Sequence, residues 1–148
     1  MKKLLFVVDP LDQFKVYKDT TFSIMREAQW RGYLIAACLP QDIQWKSGGF
    51  VMATVQQISL TGSQPGWYRV HNTMRMALKD FDAVLMRKDP PFNAEYIYAT
   101  HLLEQAEREG GNVVNRPRAL RDHPEKLAIM EFPLLVTPTL VTRNAASV

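Results

Sequence analysis

Cysteine is almost absent from the sequence, with Cys38 the only one. That excludes an internal disulfide and any cysteine-based metal cluster. Cys38 lies in the apolar run Leu34-Ile35-Ala36-Ala37-Cys38-Leu39, where a thiol behaves as a small hydrophobe, so a buried structural role is expected. Long apolar runs are missing too: nothing approaches the ~20 apolar residues a membrane-spanning helix needs. Met1-Lys2-Lys3-Leu4-Leu5-Phe6-Val7-Val8 opens like a secretory signal but stops at Asp9-Pro10. That is short of the ~7–15 apolar residues of a signal core, and no small-residue cleavage site follows. A buried first strand and a cytoplasmic location are expected. Charge of one sign is not in large excess either. The net charge is +3, with basic residues scattered among acids and no arginine stripe or aromatic-interleaved patch. No nucleic acid and no membrane partner is expected; the balance suits anionic small molecules.

Several chemical signatures are also lacking. There is no G-x-x-x-x-G-K-[ST] or G-x-G-x-x-G phosphate-binding pattern, no G-x-S-x-G elbow and no recognisable pair of metal-binding carboxylates. His71, His101 and His123 are too far apart for metal-ligand spacing. Glu104, Glu107 and Glu109 read as a solvated helix face, Trp30, Trp45 and Trp67 as core or loop anchors, and Lys126 as an ordinary surface lysine.

What is present is the pattern of an α/β domain. A chain of 148 residues can bury one core. Leu4–Val8 reads as a strand. Lys18-Asp19-Thr20-Thr21 offers helix-capping side chains, Phe22, Met25 and Ala28 follow at helical spacing, and Gly32 is a stop. Tyr33–Leu39 is a second strand, completing a unit that is normally parallel and right-handed. From Asp42 to Val70 the reading changes to an antiparallel excursion. Ser47-Gly48-Gly49 turns between Ile43-Gln44-Trp45 and Phe50–Val55, Gln56–Leu60 continues or adds a strand, and 61–66 form a loop. Phe81–Met86 is a strand. Asn93 caps a long helix containing Tyr96, Ala99, Leu103 and Ala106, ended by Gly110-Gly111. Asn112–Asn115 is a short strand, and Pro117 opens a small helix. Leu135–Val141 reads as an edge or linker strand because Pro138 interrupts it. The whole predicts an open α/β sandwich around a mainly parallel sheet flanked by helices.

Three predicted strands end in polar residues and then proline: Asp9-Pro10, Arg87-Lys88-Asp89-Pro90-Pro91 and Asn115-Arg116-Pro117. Ligands of parallel α/β sheets bind beyond the carboxyl ends of the strands. If these strands are parallel, Asp9, Arg87, Asp89 and Asn115 meet at one edge. Both charge signs there suit a zwitterionic or peptide-like ligand, with Arg87 able to pair bidentately with a carboxylate. Arg87 then points inward and Lys88 toward water. Asp-Pro and Asn-x-Pro are also common turn signals in their own right, and that reading stands beside the first.

The collinear segments Val8-Asp9-Pro10, Lys18-Asp19-Thr20-Thr21-Phe22, Glu27–Tyr33, Val84–Phe92, Tyr96–Thr100, Asn115-Arg116-Pro117, Leu120-Arg121-Asp122, Glu125-Lys126-Leu127 and Thr137–Arg143 resemble bacterial-type glutathione synthetases, members of the ATP-grasp ligases. The resemblance is weakest over 42–79. It implies a Rossmann-like, pre-ATP-grasp domain over 1–122 and a linker over 123–148 into an ATP-grasp part. It also implies ligation of γ-glutamylcysteine to glycine with ATP and Mg2+ through an acyl phosphate, in a protein that is typically a homo-oligomer. By the same resemblance, Asp9, Lys18, Arg87, Asp89 and Asn115 form a substrate wall and Lys126 reaches ATP. No catalytic or metal-binding residue is assigned in this chain, which is expected to be inactive alone. The alternative is a non-catalytic binding or interaction module that retains the domain.

Overall fold

A computed structural model describes residues 1–62 and 66–147. Strand β1 (Lys3–Val7) leads through a short 3-10 turn at Leu11–Gln13 into helix α1 (Thr20–Trp30) and then β2 (Leu34–Cys38). The antiparallel excursion follows as β3 (Ile43–Gln44), β4 (Met52–Leu60) and β5 (Tyr68–Ala77). The chain returns through β6 (Ala83–Met86), helix α2 (Ala94–Arg108), β7 (Val113–Val114) and helix α3 (Pro117–Asp122).

β1 explains why the sheet forms as it does. Leu5 and Val7 pack into the core that contains Leu103 and Ala99 of α2, while Phe6 and Val8 pack into the core that contains Phe22 and Met25 of α1. Successive side chains of a strand point to opposite faces, so an unbroken apolar run requires cover on both. α1 and α2 provide that cover. β1 pairs in parallel with β2 on one side and β6 on the other, and β7 extends β6 in parallel. β4 runs antiparallel to β2, β3 and β5. Four strands are thus mutually parallel, and the other three form the predicted antiparallel addition.

Local signals place the helix ends. Asp19 Oδ1 accepts the Phe22 N–H at 3.0 Å and caps α1; Asn93 Oδ1 accepts the Tyr96 N–H at 3.1 Å and caps α2. Gly110, with φ 95°, ends α2 in the left-handed region that a side chain disfavours. The turn at 47–49 joins β3 to β4 as expected. Residues 63–65 of the expected 61–66 loop lie outside the described residues. The neighbouring Thr61 N–H donates to the Trp67 carbonyl at 2.8 Å.

Two expectations are corrected. Leu135–Val141 forms no strand. Pro133 and Pro138 remove backbone donors from any ladder, and Leu135, Leu140 and Val141 are all exposed. The glutamates of α2 are not simply solvated. Glu109 Oε2 accepts the Val51 N–H at 2.7 Å, tying the helix to the start of β4, and Glu104 bonds both Arg121 of α3 and Arg108. Cys38 is buried, as expected, and burial together with the nearby Asp42 carboxylate pushes its thiol pKa well up. No described helix is long and apolar enough to cross a membrane.

Candidate site at the carboxyl ends of the central strands

The parallel pairing of β1 with β6 brings Asp9 beside Arg87-Lys88-Asp89. The Arg87 N–H donates to the Val7 carbonyl at 2.8 Å, extending the ladder to the strand end. Beyond it the Asp89 N–H donates to Asp9 Oδ2 at 2.9 Å, and Lys88 Nζ reaches Asp9 Oδ1 at 2.7 Å and the Asp89 carbonyl, also at 2.7 Å. Lys88 therefore folds back over the strand ends and does not point freely to water. Its side chain and that of Asp9 are 24% and 26% exposed, so the pair is held more firmly than a fully solvated one.

Arg87 is held differently. Its Nε donates to Thr21 Oγ1 at 3.0 Å and one terminal nitrogen donates to Thr20 Oγ1 at 3.0 Å. Both threonines belong to the first turn of α1, and Thr21 is buried. A cavity of about 250 Å³ opens here, lined by Asp9, Gln13, Phe14, Asp19, Arg87 and Asp89. It adjoins a second of about 410 Å³ whose lining adds Lys15, Lys18, Thr20 and Thr21. Of the expected site residues, Asp9, Arg87 and Asp89 line the first cavity and Lys18, with Asp89, the adjoining one.

The wall is braced from behind by Trp67. Its ring stacks on Phe14 with centroids 5.3 Å apart and meets Phe22 edge-on at 5.3 Å, and its Nε1 donates to the Leu11 carbonyl at 3.1 Å. Trp67 is an interior anchor, whereas Trp30 at the end of α1 is 81% exposed and anchors no core. On the opposite flank a third cavity, about 200 Å³, is lined by Asp9, Lys88, Pro91, Asn93 and Tyr96 among others. Burial raises the Tyr96 phenol pKa, and the nearby Arg87 charge partly offsets that.

The remaining two candidates stand apart. Asn115 follows β7 and is exposed. It is adjacent to the site through the pairing of β7 with β6 but is not among the residues lining these three cavities. Lys126 sits on an exposed turn and pairs with Glu125. Glu125 contributes to the raised pKa of Tyr96, which brings this turn into electrostatic reach of the strand-end site. Sequence reasoning missed the roles of Thr20 and Thr21 as partners of Arg87, of Asp19 and Gln13 as cavity wall, and of Lys88 as partner to Asp9. The capping signal marked the right segment without saying that the first turn of α1 would face the end of β6.

The geometry can be set beside known proteins. Residues 2–121 match the family described as prokaryotic glutathione synthetase, N-terminal domain. The glutathione synthetase of Ralstonia nicotianae is 51% identical over 143 residues, covering 97% of this chain and 44% of that protein. The one from Nitrosomonas europaea is 48% identical, covering 95% and 44%, and the one from Vibrio cholerae is 45% identical, covering 100% and 46%. The chain spans about half the length of the curated relatives it matches. With a sheet of the expected class and a match that runs through nearly all of its elements, the chain belongs to the prokaryotic glutathione synthetase N-terminal domain family.

Proposed function

We propose that residues 1–122 form one wall of the substrate cleft of a glutathione synthetase, and that 123–148 connect it to an ATP-grasp part. The complete enzyme ligates γ-glutamylcysteine to glycine with ATP and Mg2+ through an acyl phosphate, in the cytoplasm and as a homo-oligomer. The observation that carries the reading is the cavity holding Arg87 and Asp89 at the carboxyl ends of β1 and β6. A γ-glutamyl dipeptide carries carboxylates and an ammonium group. Arg87 offers planar donors to a carboxylate, Asp89 an acceptor to the ammonium, and Lys18 a second cation at the rim. Asp9 completes the wall, and Asn115 closes the β7 side. Lys126 reaches the nucleotide, since an exposed pair such as the one it makes with Glu125 is readily exchanged.

The described residues do not supply a site for Mg2+. Among the described residues no group of three or more His, Cys, Asp or Glu side chains could hold a metal ion. Acyl activation depends on positioned cations that stabilise the charge developing on the transferred phosphoryl group. No nucleotide or metal step is therefore derived for this chain, and we propose that it does not turn over alone.

The test has two arms. The chain alone, supplied with γ-glutamylcysteine, glycine, ATP and Mg2+, yields no glutathione; ATP- and glycine-dependent turnover contradicts the claim of inactivity. Joining the chain to the unmatched remainder of the Ralstonia nicotianae protein restores synthesis. A folded chimera without synthesis favours a non-catalytic module.

A further inference from the structure

Two cations leave the end of β6 side by side, and the fold treats them in opposite ways. Lys88 is neutralised by the Asp9 carboxylate at 2.7 Å and pinned to the Asp89 carbonyl. Arg87 is gripped at two points by neutral hydroxyls, Thr21 Oγ1 on Nε and Thr20 Oγ1 on a terminal nitrogen, each at 3.0 Å. A carboxylate in place of the threonines would fix the guanidinium equally well but cancel its charge. A hydroxyl fixes the plane and leaves the charge for a ligand. Of the five N–H donors of a guanidinium, these contacts occupy two.

The acids nearby do not undo this. Asp19 and Asp89 line the same cavity and keep their charge, but neither forms an ion pair with Arg87. Asp19 Oδ1 accepts the Phe22 N–H in capping α1, and the guanidinium's contacts among the described residues are to the two threonines. Asp9 is engaged by Lys88 and by the Asp89 N–H. Thr21 is 4% exposed, so its hydroxyl belongs to the interior and its direction is set by packing. Buried hydroxyls need a partner, and here the partner is Arg87, which pairs with no carboxylate among the described residues.

We propose that Thr20 and Thr21 are positioning residues: they lock the guanidinium plane of Arg87 without neutralising it, so that it meets a ligand carboxylate preorganised. The proposal rests on the reading of Arg87 as the carboxylate contact for a γ-glutamyl dipeptide. Preorganisation raises affinity by removing the entropy lost when a side chain is ordered on binding.

The test uses Thr21→Val, which keeps the shape and removes the hydroxyl, Thr21→Ser, which keeps the hydroxyl, and Thr20→Val. Two readouts are taken on the chain: exchange of the Arg87 Nε–H with water by NMR, and calorimetric affinity for γ-glutamylcysteine. The expected result is slow Nε–H exchange in the unaltered chain and in Thr21→Ser, about tenfold faster exchange in Thr21→Val, and affinity falling about fivefold in Thr21→Val and Thr20→Val but recovering in Thr21→Ser. Nε–H exchange and affinity unchanged in both valine variants, while Arg87→Ala abolishes binding, overturn the positioning role and leave the substrate reading intact. If Arg87→Ala binds as well as the unaltered chain, the substrate reading fails, and Nε–H exchange alone decides whether the threonines hold Arg87.

Discussion

Asp9, with its two carboxylate oxygens, joins two strand ends, one oxygen on the Asp89 N–H and the other on Lys88 Nζ. Removing it frees a cation beside Arg87 and releases the loop that carries Asp89. A residue-scale prediction concerns His123, whose Nδ1 lies 2.6 Å from Glu131 Oε1. That hydrogen bond, and secondarily the carboxylate charge, raise the imidazole pKa above its ordinary value. Because the folded value lies above the unfolded one, the pair contributes fully below the ordinary imidazole range. Its contribution fades as pH rises through the raised value. An NMR titration of His123 is expected to show the elevated pKa and its fall in Glu131→Gln; the same pKa in both proteins contradicts the contact.

At the scale of elements, α1 is fixed at its first turn by a cap and a cation together. Asp19→Ala removes the cap of α1 and is expected to cost about 1 kcal/mol in denaturant unfolding; no change means that the contacts of Thr20 and Thr21 to Arg87 hold the turn unaided. α2 is set by a close approach at its end. A Cβ on Gly111 would lie 2.8 Å from the Ala106 carbonyl oxygen and 3.5 Å from the Lys79 Cα. The Ala106 carbonyl is backbone and cannot swing away, while the Lys79 distance is an ordinary contact, so Gly111→Ala is expected to lower stability by about 1–3 kcal/mol, read as a lower urea midpoint at unchanged slope. Elements with clean local signals were legible in the sequence: the runs of β1 and β2, the caps Asp19 and Asn93, and the stop at Gly110. β5 was not. Its register shifts between Gln57 and Ile58 of β4, leaving His71 as the extra residue. Tyr68 consequently packs on the α1 side, whereas Met74 and Met76, an even number of residues away, pack on the α2 side. A bulge reverses the alternation from which strands are read, so no single period runs through Tyr68–Ala77.

For the whole molecule, the parallel half of the sheet does the positioning and the antiparallel half widens the platform. Convergence of Asp9, Arg87 and Asp89 at one sheet edge was legible because parallel pairing brings the carboxyl ends of β1 and β6 together. The separation of Arg87 from Lys88 into a free and a neutralised cation was not, because it depends on which helix end lies over β6. Residues 127–141 carry exposed Leu127, Met130, Phe132, Leu134, Leu135, Leu140 and Val141, an apolar surface consistent with the proposed connection to a further part of the enzyme. The central claim is that this domain holds a γ-glutamyl dipeptide through Arg87. Titrating γ-glutamylcysteine into the chain and into Arg87→Ala tests it directly. Loss of a charge-assisted bond is expected to weaken binding about tenfold or more, and equal affinity in the two proteins contradicts the account.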